Sequence, residues 1–427
     1  MRKIVFSLAV VLLLTACNDE KVSEQQEQSK QEQEAIVMNE ALLGKWQGLI
    51  ESPQMPLEIL LNLRQGDGSF SIPAQGLSDF SFENVDYNGQ EVAITIDFGG
   101  SLIKIAGTLE YNQINATFTQ NGQTYPLLLK PYTEGTVTYD ELTIPVDGGE
   151  LKVALQMPDK LTGELVIIHA GSGPTNKDGN TIGSGKNNSL KMIAEDLAAQ
   201  GIASVRFDKR GIGENTALIS NEADLTFAHY VNDVLAIVDF MKQDSRFTSI
   251  HLLGHSEGAL MMTLAAQHVE IDSLILLAGA GRPADEILLE QLSASLPPNL
   301  FIESKTVLEK LKVGETVANV SSELLALFRP SVQPYLISWL QYDPQQEIKK
   351  VTAPILIIQG KKDIQITETD TKALQAGNEK ATIHYFEHMN HVLKDIKGDY
   401  KENIASYTNP DLPLAAGLIE EIINFTQ

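Results

Sequence analysis

Ser249-Ile250-His251-Leu252-Leu253 runs straight into Gly254-His255-Ser256-Glu257-Gly258, and that into Ala259-Leu260-Met261-Met262-Thr263-Leu264-Ala265-Ala266. The first stretch reads as a short buried strand and the last as a buried helix. A Gly-x-Ser-x-Gly at a strand-to-helix turn is the nucleophile elbow. The turn is tight enough that bulky neighbours would clash, hence the glycines. It lifts a serine Oγ above the sheet and sets it at a helix N-terminus, where the dipole favours developing negative charge. The five-residue pattern alone would arise by chance in a chain this long about one time in seven, so its surroundings carry the reading.

Outward from the elbow, strands and helices alternate. Residues 164–169 read as a strand, 189–200 as a helix closed by Gly201, 202–208 as a strand and 225–242 as an amphipathic helix. After the elbow come strands at 273–278, 355–359 and 382–386, then a closing helix at 415–425. Ahead of them, 136–143 and 151–156 flank Asp147-Gly148-Gly149 as a β-hairpin. This is α/β order with a mostly parallel sheet, whose ligands bind at the carboxyl ends of the strands. Residues 281–346 interrupt the alternation with helical stretches broken by Pro297-Pro298, Pro330 and Pro334, and read as a helical cap over that edge.

Residues 41–132 follow another pattern. Stretches at 57–63, 92–98, 102–109 and 114–119 read as strands, most alternating with period two. Asp67-Gly68, Asn88-Gly89 and Asn121-Gly122 punctuate them as hairpin-turn dipeptides. The expectation is an antiparallel meander of seven or eight strands, curled into a half-barrel or sandwich. It contains no Ser/His/Asp cluster, and no chemistry is assigned to it.

The chain has 427 residues, 43% of them apolar, and a formal net charge of −24. That charge disfavours nucleic acid and anionic membrane surfaces as partners, since both need basic patches. Met1-Arg2-Lys3 is a basic start, and residues 4–14 form an apolar stretch too short to span a bilayer comfortably. Leu14-Thr15-Ala16-Cys17 follows and resembles the lipobox of bacterial lipoproteins. The resemblance implies a signal peptide over residues 1–16 and lipidation of Cys17, the single cysteine in the chain. Asn18 stands where the inner-membrane retention signal usually has Asp, which favours the outer membrane, facing the periplasm. Residues 17–40, rich in Gln, Glu, Ser and Lys, read as a disordered tether. The folded parts are then expected at 41–132 and 133–427.

A serine hydroxyl needs a base to take its proton, and the base needs a third group to fix its tautomer. With an elbow serine the chain order is Ser, then Asp or Glu, then His. Asp363 follows the strand 355–359 at its carboxyl end, whereas Asp370 lies where the next helix begins and suits a capping role. After the strand 382–386, Glu387-His388-Met389-Asn390-His391-Val392 offers two histidines. His391, further along the loop beside Asn390, is preferred over His388, which follows the strand almost directly. His384 lies within the strand and reads as structural, while His169 and His255 are candidates to line the site. His229, His251 and His268 have no case beyond packing or surface. The oxyanion hole needs two backbone N–H donors. One is Glu257 N–H. The other is expected from His169-Ala170-Gly171-Ser172-Gly173-Pro174, with Ser172 favoured and Gly171 the alternative. The Glu257 carboxylate reads as a negative charge in a first helical turn. Asp208-Lys209-Arg210-Gly211-Ile212-Gly213 reads as a cluster holding neighbouring loops rather than substrate.

These features together resemble the α/β-hydrolase superfamily of serine esterases. More narrowly, the chain resembles bacterial esterases carrying Gly-Ser-Gly-Pro-x-x-x-Asp-Gly-Asn after the third strand, here residues 171–180. The likeness continues through residues 207–213, the cap segment 328–335, residues 360–365, and Asn390-His391. It implies an α/β-hydrolase fold with a helical cap, Ser256 as nucleophile, Asp363 as acid and His391 as base. It also implies hydrolysis of small carboxylic esters of short acyl chains, with no cofactor or metal. Serine peptidases share the fold, so a peptidase or other acyl hydrolase is the alternative. Proline-releasing aminopeptidases carry His-Gly-Gly-Pro-Gly where this chain has His169-Ala170-Gly171-Ser172-Gly173. Prolyl oligopeptidase relatives usually have a second glycine after the elbow, where Ala259 stands. A surface-binding lipoprotein without catalysis would show a broken triad or oxyanion loop, and neither is visible.

Overall fold

The computed structural model describes residues 40–50, 57–72, 77–98, 101–132, 139–181 and 185–427. The expected signal segment, Cys17 and all but the last residue of the expected tether lie outside the described residues. The chain divides near residue 133 into two compact units.

The first unit is an antiparallel sheet. Its strands are β1 (Gly44–Ile50), β2 (Leu57–Arg64), β3 (Asp67–Ile72), β4 (Leu77–Ser81), β5 (Asn84–Asn88), β6 (Glu91–Phe98), β7 (Ser101–Glu110), β8 (Gln113–Gln120) and β9 (Gln123–Pro131). The expectation of one seven- or eight-stranded meander is corrected here. Nine strands in the order β4-β3-β2-β1-β9-β8-β7-β6-β5 form two meanders joined where β1 meets β9. That seam pairs Trp46 with Pro131 and Ile50 with Leu127. The alternation is one-sided, as period-two geometry requires. Trp46, Ile50, Leu127 and Leu129 are buried, whereas Leu49 and Leu128 between them are exposed. Asn121 and Gly122 both take positive φ (50° and 76°), as a two-residue type I′ hairpin turn demands. Asp67-Gly68 is not a turn but the start of β3; the turn is one step earlier, with Gly66 at φ 81°.

The second unit carries the strands β10 (Asp140–Val146), β11 (Gly149–Gln156), β12 (Glu164–His169), β13 (Ala203–Arg206), β14 (Ser249–His255), β15 (Ser273–Leu277), β16 (Ile355–Gly360) and β17 (Thr382–Phe386). Their order is β10-β11-β13-β12-β14-β15-β16-β17. β11 runs antiparallel to β10 and β13, and every pairing from β13 to β17 is parallel. The central strands read as continuous apolar runs because helices cover both faces. On one face α2 (Phe227–Met241) and α3 (Glu257–Ala265) bury Val234, Ile237, Val238 and Met261 against Leu252 and Leu276. On the other, α1 (Ser189–Ala199) and a C-terminal helix (Leu418–Thr426) bury Ile193, Leu197, Leu418 and Ile422 against Leu253 and Ile275.

The cap leaves the sheet after β15 and returns before β16. It contains α4 (Ala284–Ser295), α5 (Pro298–Lys312) and α6 (Gln333–Trp339), which share a core of Val307, Leu308, Leu311, Phe328 and Leu336. Asp370 lies buried in the first turn of α7 (Glu368–Gly377). It forms a capping box with Thr367 and takes Arg282 at 3.1 and 2.9 Å, tying down the first residues of the cap.

β13 ends at Arg206, before the apolar run does, and the charges that follow Phe207 are buried. Arg210 grips buried Asp233 of α2 with bonds of 3.1 and 2.6 Å and also donates to Asp147 O at 2.6 Å. Removing the cation leaves a buried carboxylate unpaired. Arg210→Met is expected to lower unfolding free energy by about 3–5 kcal/mol, read by urea titration. A loss near zero would show that Asp233 finds another partner.

Candidate active site

The elbow has the geometry its glycines predict. Ser256 sits at φ 56° and ψ −122°, between the end of β14 and the first residue of α3. A non-glycine residue holds such a conformation only where its surroundings enforce it. They do so here by close approach. A Cβ on Gly258 would lie 2.6 Å from Ala170 O and 2.7 Å from His169 O, and one on Gly254 would lie 2.3 Å from Gly258 O. The helix start is therefore pressed against the loop after β12. That loop is equally close to the serine, since a Cβ on Gly171 would come within 3.0 Å of Ser256 Cβ.

Asp363 and His391 meet as the chain order requires. His391 Nδ1 lies 2.8 Å from Asp363 Oδ2, and both side chains are buried. Asp363 Oδ1 accepts the backbone N–H groups of Gln365 (2.8 Å) and Ile366 (3.0 Å), and Oδ2 accepts Gln359 Nε2 at 3.3 Å. These bonds leave the carboxylate one orientation, aimed at the ring. Buried Asn390 folds the base loop by donating to Asn403 Oδ1 and Ser406 Oγ and accepting Lys394 N–H. Ser256, His391, Gly171 and Ser172 line one cavity of about 370 Å³, together with Gln365, Tyr407 and Val392.

The other histidines separate as chemistry would sort them. His388 is exposed and lines a different hollow with Glu387 and Lys397. His384 pairs with Glu421 at 3.2 Å, His229 completes the N-terminal capping box of α2, and His251 bridges Glu164 and Ser273. His255 has a role that its place in the elbow did not reveal. Its Nε2–H donates to His391 O at 2.7 Å, fixing the backbone of the base. Burial first and the His391 ring second hold its pKa down to about 4, so the ring is neutral. His169, fully buried against Phe207 and Tyr230, is lowered to about 3 by burial and by the Lys209 charge.

Two features depart from, or sharpen, their sequence reading. The Glu257 carboxylate does stand in a first helical turn, but it does more than face the dipole. It is buried, accepts the Tyr335 hydroxyl from the cap at 2.8 Å, and burial raises its pKa. Asp208-Lys209-Arg210 holds loops, as its clustering suggested. Asp208 accepts Lys177 N–H and Glu214 N–H, and Lys209 Nζ donates to Gly171 O and Gly173 O. The Lys209 contacts join residues 36 and 38 positions apart, and no local pattern announces them.

The strand order, with parallel pairing from β13 to β17 and the elbow after β14, is that of the α/β-hydrolase fold. Comparison with known proteins finds the following similarities. Residues 186–395 match the family described as serine aminopeptidase, S33. The chain is similar to esterase EstD of Thermotoga maritima, 29% identical over 281 residues, which are 63% of each chain. It thus spans less than two thirds of that relative's length. Similar solved structures include Est1E of Butyrivibrio proteoclasticus with bound ferulic acid (19% identity, TM-score 0.44, covering 67% of this chain and 98% of that one). Another is proline iminopeptidase of Mycobacterium smegmatis (17% identity, TM-score 0.41, covering 62% and 96%).

The two neutral histidines make stability depend on pH. The unfolded chain protonates each near 6.5, whereas the fold holds His255 neutral to about 4 and His169 to about 3. Between those values the unfolded state binds more protons, so stability falls as pH drops from about 6.5 toward 4. Urea unfolding from pH 7 to 4.5 should show this decline, and His255→Gln, which keeps an N–H for His391 O, should flatten it. An unchanged slope in the variant would mean His255 is not held neutral.

Proposed function

We propose that this chain hydrolyses small carboxylic esters through an acyl-enzyme on Ser256. The observation that carries the reading is the buried 2.8 Å contact with Asp363 made by His391, which lines the same cavity as the strained elbow serine. Ser256 Oγ attacks the ester carbonyl carbon while His391 Nε2 takes its proton. Asp363 fixes the tautomer and stabilises the imidazolium. Glu257 N–H and Ser172 N–H receive the oxyanion, with Gly171 N–H as the alternative donor. Collapse of the tetrahedral species breaks the C–O bond, and His391 returns the proton to the leaving alcohol. Water then attacks the acyl-serine through the same base, releasing the acid and restoring Ser256.

The name of the matching family raises a peptidase as the second reading. The cavity favours the ester. An aminopeptidase must neutralise the ammonium of its substrate's first residue. Among the described residues lining the cavity there is no Asp or Glu. The relative named an esterase supports the same choice. We further propose that Cys17 carries lipid and places the enzyme on the outer membrane facing the periplasm, from the sequence of residues 1–18.

Ser256→Ala should abolish turnover of p-nitrophenyl acetate and butyrate, a loss of about 10⁴-fold or more, and Asp363→Asn should cost about 10⁴-fold by presenting the wrong tautomer. Full activity in Ser256→Ala sinks the assignment. Faster turnover of an aminoacyl-p-nitroanilide than of any ester would move it to the peptidase reading. Cys17→Ala should shift the protein from the membrane to the soluble fraction, and an unchanged distribution refutes the anchor.

A further inference from the structure

We propose that Lys209 is the positioning residue of the oxyanion hole, and that Glu257 and Tyr335 link it to the cap. The inference rests on the acyl-transfer reading above. The Lys209 side chain is 1% exposed, and its Nζ donates to the carbonyl oxygens of Gly171 and Gly173, the latter at 2.8 Å. Gly171 C=O and Ser172 N–H belong to one peptide group. That group is planar and trans, so its C=O and N–H point in opposite directions. A cation that holds Gly171 C=O on one side therefore aims Ser172 N–H to the other. Thr175 Oγ1 donates to Ser172 O at 2.8 Å, fixing the next peptide in the same manner. The loop is glycine-rich and would otherwise sample many conformations. A hydrogen bond to the carbonyl also polarises its peptide and makes the N–H a better donor.

The second proposed donor belongs to the same construction. Glu257 contributes its N–H at the start of α3, and its buried carboxylate stabilises the Lys209 charge. Glu257 Oε1 accepts the hydroxyl of Tyr335 on α6 at 2.8 Å. Tyr335 in turn packs on Phe227 and Tyr230 of α2, with ring centroids 5.9 and 5.8 Å away. Hydrogen bonds thus join the cap helix to Glu257 through Tyr335, and Lys209 to the peptide that carries Ser172 N–H, while the charges of Glu257 and Lys209 couple the two electrostatically.

The groups facing the ammonium are Glu257 on α3, Tyr230 on α2, whose ring lies 5.5 Å from Nζ, and His169 at the end of β12. His169 is neutral, and burial holds Tyr230 protonated. Burial lowers the pKa of Lys209 itself to about 8, opposed by the Glu257 charge. The ammonium is lost as pH rises through that value, so kcat should decline above about pH 8. Glu257→Gln keeps the N–H and removes the opposing charge. It should move the decline to lower pH.

The test uses the full-length chain, with Ser256→Ala as baseline. Lys209→Met should lower kcat for p-nitrophenyl acetate about 10²-fold, leave KM within about threefold, and weaken a trifluoromethyl ketone, which forms a tetrahedral adduct, in proportion to kcat/KM. The alkaline decline should vanish in that variant. A kcat within about threefold of wild type, or a fall in kcat without weaker ketone binding, overturns the inference. If Lys209→Met does not fold, Glu257→Gln decides, because an unmoved alkaline limb overturns it equally. Neither result touches the nucleophile, which stands or falls with Ser256→Ala.

Discussion

The close approach between the start of α3 and the loop after β12 is the constraint on which the rest depends. Two carbonyl oxygens, those of His169 and Ala170, lie 2.7 and 2.6 Å from where a Cβ on Gly258 would be. Only a glycine lets the helix reach that depth, and only at that depth is the serine held at positive φ beside the glycine-rich loop. Strain at Ser256 of order 1–3 kcal/mol is carried by the surrounding packing rather than by the turn itself. Parallel pairing of β12 with β14 supplies the rigidity, since both strands are buried on both faces.

The second organising device is a run of three consecutive buried charges after β13. Burying ions costs several kcal/mol each unless they are paired and hydrogen-bonded. Each of the three meets that demand through a different part of the chain. Asp208 holds backbone at 177 and 214, Lys209 holds carbonyls at 171 and 173, and Arg210 holds Asp233 and the hairpin at 147. One short segment thereby fixes the loops around the carboxyl edge of the sheet. The glycine-rich loop gains a defined conformation at the place where a transition state would need one.

The cap is fastened separately. Asp370 receives Arg282 at its entrance, Glu222 receives Arg329 and Ser331 midway, and Glu257 receives Tyr335 near the nucleophile. Its own apolar core makes it a packed layer rather than a loose insertion. Among the described residues no helix is long and apolar enough to cross a membrane. The nine-stranded sheet is a second, independent solution to burial, in which alternation buries one face of strands such as β5, β7 and β9.

Much of this was legible along the chain because it is local. Period-two alternation, apolar runs of strand length, the elbow glycines and the order Ser256, Asp363, His391 are properties of neighbouring residues and of chain direction. They pointed to the fold class, to Ser256 and to Asp363, and left His391 preferred over His388, a choice that the family resemblance then made. The tertiary structure decided what depends on contacts between distant segments. The β1–β9 seam joins residues some eighty positions apart, and two meanders look like one when only neighbouring strands are visible. The exposure of His388 and the burial of His391 follow from the fold of the loop around Asn390. Glu257 read only as a helix-start charge because the groups that act on it, Lys209 and Tyr335, come from the segment after β13 and from the cap. Hydrophobic periodicity records which face of an element is buried. It holds no record of which remote polar group waits there, and that pairing aims Asp363 at His391 and Lys209 at the Gly171 carbonyl.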